Sequence, residues 1–423
     1  MVRTDREGVW KRLGIRGVGM VLPGVDRSCR DVKEFAGTVL SGRSAISPLD
    51  LTDSAVRVAG RVPEEFTEEL DLPDAVIRRT PRAGRLAHAA VVDAMDNAGL
   101  TAREISDGRA VLILTSLQFS VQEVIRLMRR FDDQGPSGVG MRYWATATPG
   151  AIASMLCMNL GLDIPTFTLT GGCSVSLRGF ELGANMVARG EVEHAIVVGV
   201  ETPLEPLFLS STAYQTRTGH RASSTSADPS DVRPHDEVQT GNAPAEGAMA
   251  FVLGPATEGD GNIEVAMLSS RNGGNNAMGL GDPVPYGRDL AGLLRSADVT
   301  FDDLACFCDF AEGNRELENF LCDTVDSLRD SLADDSPLYI TSQEACYGHL
   351  PGAVGLLKVL SGLVMLDAER IAPTANLVTP YKRLPATPVV GEAAAFSRSA
   401  RPTVLTAALS GGGDTTSVLL RTV

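Results

Sequence analysis

One stretch of this 423-residue chain constrains its fold more than any other: residues 165–178, Pro-Thr-Phe-Thr-Leu-Thr-Gly-Gly-Cys-Ser-Val-Ser-Leu-Arg. Thr166–Thr170 is a run of β-formers. Gly171 and Gly172 permit a turn that side chains would obstruct. From Ser174 the apolar spacing becomes helical, with Val175, Leu177, Phe180, Leu182, Met186 and Val187 facing one way, and Gly190 is a natural stop. The run Ala195–Val200 then reads as a second strand, completing a βαβ unit. Cys173 is thereby set on a tight strand-to-helix turn. There the positive end of the helix dipole favours thiolate, and free backbone N–H groups point towards whatever the sulfur attacks. The alternative for any single cysteine is a buried, inert thiol.

Around this unit the pattern is that of an α/β chain. Strands are expected at Ile15–Leu22, Ala110–Thr115, Ala248–Leu253, Ile263–Ser270, Leu338–Ser342, Thr403–Leu409 and Thr416–Leu420. Helices are expected at Asp31–Leu40, Pro81–Asn97, Val121–Phe131, Pro149–Leu160, Asp289–Ala297, Arg315–Leu332 and about 352–367. The last of these is apolar nearly all round, which predicts burial, with Gly352, Gly355 and Gly362 letting it approach a neighbour closely. Residues 1–13 read as a charged extension. Residues 213–243 are rich in Thr, Ser, Asp, Gly and Pro, and read either as a surface loop or as a lid over a site.

Several motifs, in order along almost the whole chain, give the pattern a family. Gly172-Cys-Ser-Val-Ser-Leu177 resembles the nucleophile motif of β-ketoacyl synthases, members of the thiolase superfamily. Leu40-Ser-Gly-Arg-Ser-Ala-Ile46, Pro234-His-Asp-Glu-Val-Gln-Thr-Gly241, Ala245-Glu-Gly-Ala248, Gly348-His-Leu-Pro-Gly-Ala-Val-Gly355 and Ser410-Gly-Gly-Gly413 are similar to other motifs of that family. The resemblance implies an α/β, thiolase-like fold of duplicated αβαβα layers in two similar halves. These are expected at residues 14–255, with Cys173 as nucleophile, and 256–423, with Glu312 and His349. It implies acyl thioesters on coenzyme A or a carrier-protein phosphopantetheine arm as substrates, with no bound cofactor. An oxyanion hole is implied at the backbone N–H groups of Cys173 and Gly411, with Gly412 and Glu344 near the substrate.

The chain also departs from the family pattern. Where a first histidine belongs, Ala311-Glu-Gly-Asn-Arg315 places Glu312. Where a lysine precedes the Gly-His pair, Glu344 stands. A bulky aromatic gate is replaced by Gly411, leaving a freer entrance. An ionised carboxylate accepts hydrogen bonds and repels an enolate, whereas an imidazole can donate to one. The expected chemistry is therefore acyl transfer through Cys173, with Glu312 as base and His349 as partner, without standard malonyl decarboxylation, in polyketide or related specialised metabolism. The alternatives are a decarboxylative β-ketoacyl synthase and a non-catalytic, chain-length-factor-like subunit.

Composition bounds the partners. A net charge of −15 argues against nucleic acid and acidic membranes. It leaves room for an acidic carrier at a local basic patch, either Arg78, Arg79, Arg82 and Arg85 or Arg126, Arg129 and Arg130. Seven irregularly spaced cysteines suggest a reducing compartment. Cys306-Phe-Cys308 lacks the second pair a zinc site needs. No apolar leader or run of about 20 apolar residues is present, so a cytoplasmic protein is expected. A homodimer, or a heterodimer with a related ketosynthase, follows from the resemblance.

Overall fold

The computed structural model describes residues 10–24, 27–51, 54–70, 72–215, 221–258, 261–271, 273, 279–396, 399 and 401–423. Ten principal strands are β1 Lys11–Val21, β2 Ala110–Ser116, β3 Thr166–Thr170, β4 His194–Glu201, β5 Gly247–Pro255, β6 Asn262–Arg271, β7 Leu304–Cys308, β8 Tyr339–Thr341, β9 Thr403–Ser410 and β10 Asp414–Thr422. The principal helices are α1 Val32–Ser41, α2 Arg82–Ala98, α3 Val121–Gln134, α4 Ala151–Leu160, α5 Val175–Ala188, α6 Pro283–Ala297, α7 Arg315–Leu332 and α8 Val354–Ala368.

The strand order is β3-β2-β4-β5-β1, continued as β6-β10-β9-β7-β8. A two-residue strand, Thr387–Pro388, extends the far edge. Each set of five repeats the other. In both, the first strand pairs antiparallel with the fifth and the fifth antiparallel with the fourth. The second lies parallel between the fourth and the third. The two sets join where Lys11–Gly14 of β1 pairs with β6, just before the register shift between Ile15 and Gly17. Lys11–Leu13 are thus strand residues rather than part of an extension, because the second set needs their backbone groups at its edge.

Three apolar clusters fill the spaces between layers. One lies between α2, α4 and the first five strands. One lies between the two sets of strands around α5 and α8. One lies between the second five strands and α6 and α7. This is the duplicated αβαβα layering. The central position of α8 explains its apolar circumference. Its start crowds α5 so closely that a Cβ on Gly355 would stand 2.7 Å from the Leu177 backbone nitrogen.

The sequence pattern misses β7. Leu-Ala-Cys-Phe-Cys is fully buried on both faces, and a short run without alternation carries no strand period.

Candidate active site

Two loops and one hairpin bring the site together. Cys173 lies between β3 and α5, which begins two residues later at Val175. His349 lies between β8 and α8. The β9–β10 hairpin turns at Gly411–Gly413. Gly172 lets the hairpin approach, since a Cβ there would sit 2.7 Å from that of Ser410. The contact is locked by the Ser174 N–H donating to Ser410 Oγ at 2.8 Å, with the two hydroxyls 2.7 Å apart.

Cys173 Sγ is 3.0 Å from His349 Nε2. On the far side of the ring, Nδ1 faces two carboxylates, Glu344 Oε2 at 3.0 Å and Glu312 Oε2 at 3.1 Å. Glu344 in turn is 2.9 Å from the buried ammonium of Lys358 on α8, which also donates to the Asp309 carbonyl. The order is therefore cysteine, imidazole, paired carboxylates, lysine.

The two carboxylates are held apart electrostatically. Burial raises both, but for Glu344 the charges of Lys358 and His349 win, and its carboxyl is held below the usual range. For Glu312 burial wins, assisted by the charge of Glu344 and opposed by His349 and by a hydrogen bond from Asn242, and the pKa is raised. Burial opposes a charge on His349, yet Cys173, Glu312 and Glu344 together push its pKa well above the ordinary value. The arrangement thus holds a fixed anion, Glu344, and a second carboxyl, Glu312, poised to gain and lose a proton. Burial pushes up the thiols of the other six cysteines, Cys29 to about 11 and Cys308, Cys322 and Cys346 to about 12. Among the described residues only Cys173 has its sulfur against a histidine nitrogen.

A cavity of about 310 Å³ opens on this group. Cys173, Glu312, His349 and Gly411 line it, with an apolar wall of Leu117, Phe208, Leu280, Leu317 and Leu409. Glu344 and Gly412 do not. Glu344 is buried behind the histidine, and the Gly412 N–H donates to Gly279. Behind Glu344, which holds the position where the family pattern has a lysine, Lys358 of α8 supplies a buried cation. Its signal was a single lysine in an otherwise apolar helix. Asn242, against Glu312, carried no signal of its own. Of the irregular 213–243 stretch, Arg221, Ala222, Ser223 and Asn242 line the cavity, while residues 216–220 fall outside the described ones.

The two candidate basic clusters meet at another cavity of about 370 Å³, lined by Arg78, Arg79, Arg82, Arg85 and Arg126. Arg82 is bound to Glu246 and Glu64. Arg129 and Arg130 lie outside this lining. Among the described residues no cluster of His, Cys, Asp and Glu is placed to hold a metal ion, and no helix is long and apolar enough to cross a membrane.

The profile of the β-ketoacyl synthase N-terminal domain matches residues 11–258, more than half of the chain. The granaticin polyketide β-ketoacyl synthase 1 of Streptomyces violaceoruber is 25% identical over 388 residues, covering 88% of this chain and 89% of that one. The ishigamide ketosynthase/chain length factor superposes with a TM-score of 0.81 at 19% identity, over 98% of this chain and 99% of the other. A ketosynthase in complex with a type II polyketide acyl-carrier protein does so with a TM-score of 0.81 at 16% identity, over 98% and 100%. The chain belongs to the β-ketoacyl synthase family.

Proposed function

We propose that this protein is a ketosynthase-like acyltransferase of polyketide or related specialised metabolism. It takes an acyl group from a phosphopantetheine thioester onto Cys173 and passes it to an acceptor without decarboxylating a malonyl unit. The observation that carries this reading is the linear order Cys173–His349–Glu312/Glu344, with both carboxylates on Nδ1 and none on the sulfur side. That is the logic of a nucleophile, a base and an orienting anion.

In the first half-reaction the thiol proton passes to His349 Nε2 and the sulfur attacks the donor carbonyl. The backbone N–H groups of Cys173 and Gly411 receive the oxyanion. The departing thiol takes the proton back. In the second, an acceptor enters the cavity, Glu312 takes its proton, and the acyl–sulfur bond breaks. Glu344 keeps the ring in place throughout, with its charge balanced by Lys358. An intact Cys173–His349 pair at hydrogen-bond distance weighs against a purely non-catalytic partner role.

One observation favours a second reading. The raised pKa of Glu312 means that a neutral carboxyl is accessible. A carboxylic acid can donate to an enolate oxygen as the missing imidazole would. Malonyl decarboxylation would then survive in altered form.

The Glu312→Gln variant separates the two. An amide cannot act as a base but can donate. Under the acyltransfer reading, Glu312→Gln keeps acylation of Cys173 and loses transfer by roughly 100-fold or more, the usual worth of a general base. Under the decarboxylative reading, it keeps CO₂ release from a malonyl thioester. The pH dependences also oppose each other. Base-assisted transfer rises as Glu312 ionises, and acid-assisted decarboxylation falls.

For partners, the arginine-lined cavity offers an acidic carrier a local excess of cations on a chain of net charge −15, with Arg126 held by Glu123, Arg85 near Glu64 and Arg78 near Asp74. The open edge strand β3 offers a dimer contact, with either a second copy or a related ketosynthase.

A further inference from the structure

The active cavity contains a cation that the reaction above does not use. Arg221 lines it together with Glu312, Glu316 and His349. Its guanidinium donates to Thr225 Oγ1 at 2.8 Å and reaches Gln215 at 3.4 Å. Its Nε is shut off from solvent without a hydrogen-bond partner. Among the described residues no carboxylate pairs with it. Glu312 is engaged by His349 and Asn242 instead. Thr225 and Gln215 take one N–H from each terminal nitrogen of the guanidinium, so the second N–H on each remains for a carboxylate in the cavity that Arg221 lines.

We propose that Arg221 binds the carboxylate of the acceptor and that the acceptor is an amino acid, its amine directed at Glu312. The proposal rests on the acyltransfer reading. The charges favour this class over a hydroxy acid or a simple amine. Two carboxyl groups, Glu312 and Glu316, face the same space as Arg221 and match an ammonium, while Arg221 matches a carboxylate. A simple amine leaves Arg221 unanswered, and a hydroxy acid leaves the acidic pair unanswered. In the transfer step the neutral amine attacks the acyl carbonyl. The C–N bond forms, the C–S bond breaks, and the cysteine sulfur leaves with the electron pair. Glu312 takes the nitrogen's proton and passes it to solvent, and the freed Cys173 thiolate takes one from water, restoring the Cys173–His349 pair with its 3.0 Å contact.

The test uses the full chain loaded on Cys173 from an acyl-N-acetylcysteamine thioester, which carries no phosphate. Loss of the adduct is followed by intact mass on addition of glycine, alanine and β-alanine, or of glycinamide, alaninamide and ethylamine. The wild type should deacylate on amino acids roughly tenfold or more faster than on the uncharged-end amines, as expected when a charged group gains its partner. Arg221→Met should erase that preference and Arg221→Lys should keep part of it, with thermal denaturation confirming that both fold. Equal rates on glycine and glycinamide, or a preference that survives in Arg221→Met, would overturn the assignment and leave the acyltransfer reading standing. Slower loading of Arg221→Met from acyl-coenzyme A but not from the N-acetylcysteamine thioester would give Arg221 to the arm phosphate instead, also against the proposal. An acyl-enzyme that no amine or amino acid discharges would remove the proposal together with amine transfer itself.

Discussion

At the scale of residues, the site turns on one nitrogen shared by two carboxyl groups. His349 Nδ1 can hold one proton at most, and Glu344 and Glu312 both lie within 3.1 Å of it. Such a pair is tolerable because Lys358 neutralises Glu344, leaving Glu312 to bear the cost of burial as a raised pKa. Removing the lysine should therefore be strongly destabilising. Lys358→Met leaves the buried Glu344 anion with His349 alone beside it, and urea denaturation should show a loss of about 3 kcal/mol. Lys358→Met/Glu344→Gln should recover most of that loss while leaving His349 without its fixed anion, so acylation stays slow. Cys173, Glu312 and His349 could be placed from the sequence because the resemblance carries each to a position in a short family motif. Lys358 and Asn242 could not. Their roles arise from the packing of α8 and of the 221–243 segment against those motifs, which no spacing encodes.

At the scale of elements, the ends of β2 and β4 are tied to the histidine loop by Glu201. This fully buried carboxylate accepts from the N–H groups of Leu117, Gln118 and Gly352 and from Ser116 Oγ. Leu117 lines the active cavity and Gly352 follows His349 by three residues, so one side chain couples the apolar wall to the catalytic loop. Burial raises the Glu201 pKa to about 7, with its four donors opposing the rise. In the unfolded chain it ionises near its ordinary value. Stability should therefore fall as pH rises from the ordinary carboxylate range to about 7 and level off above it. Within that window Glu201 alone contributes a difference of one proton between the folded and unfolded chains, so its share of the slope is roughly 1.4 kcal/mol for each step of one in pH. Glu201→Gln should flatten that slope in denaturation measured across pH. The alternating or amphipathic elements, such as β1, α2 and α7, could be read from the sequence to within a few residues. Strand β7 could not, because a strand buried on both faces shows no alternation.

At the scale of the whole molecule, the two sets of five strands repeat one order, so each half presents a strand–turn–helix at the level of the central layer. Cys173 comes from one and His349 from the other, and their contact exists only when both halves are packed. Among the described residues the first set ends in an edge that no further strand covers. β3 pairs only with β2, and Phe167 on it is 43% exposed. Met158, 72% exposed on the neighbouring α4, adds to the apolar surface. Edge strands of this kind associate unless blocked. In sedimentation velocity the wild type should sediment as a pair and Phe167→Asp as a monomer; a wild type that sediments as a monomer at all concentrations would contradict the proposed edge contact. The duplication was only faintly legible in the sequence, through the two reactive turns. The common strand order depends on pairings between segments far apart in the chain, for which a single sequence carries no direct signal.

The central claim is that Cys173 accepts an acyl group and surrenders it without CO₂ loss from a malonyl unit. The most direct measurement is intact mass of the purified protein after exposure to acyl–coenzyme A and acyl–carrier thioesters, beside Cys173→Ala, with malonyl thioester and ¹⁴CO₂ release followed in parallel. The expected result is an adduct of the acyl mass on the wild type, none on Cys173→Ala, and no release of CO₂ above background. Efficient CO₂ release coupled to chain extension, or no adduct from any donor, would contradict it.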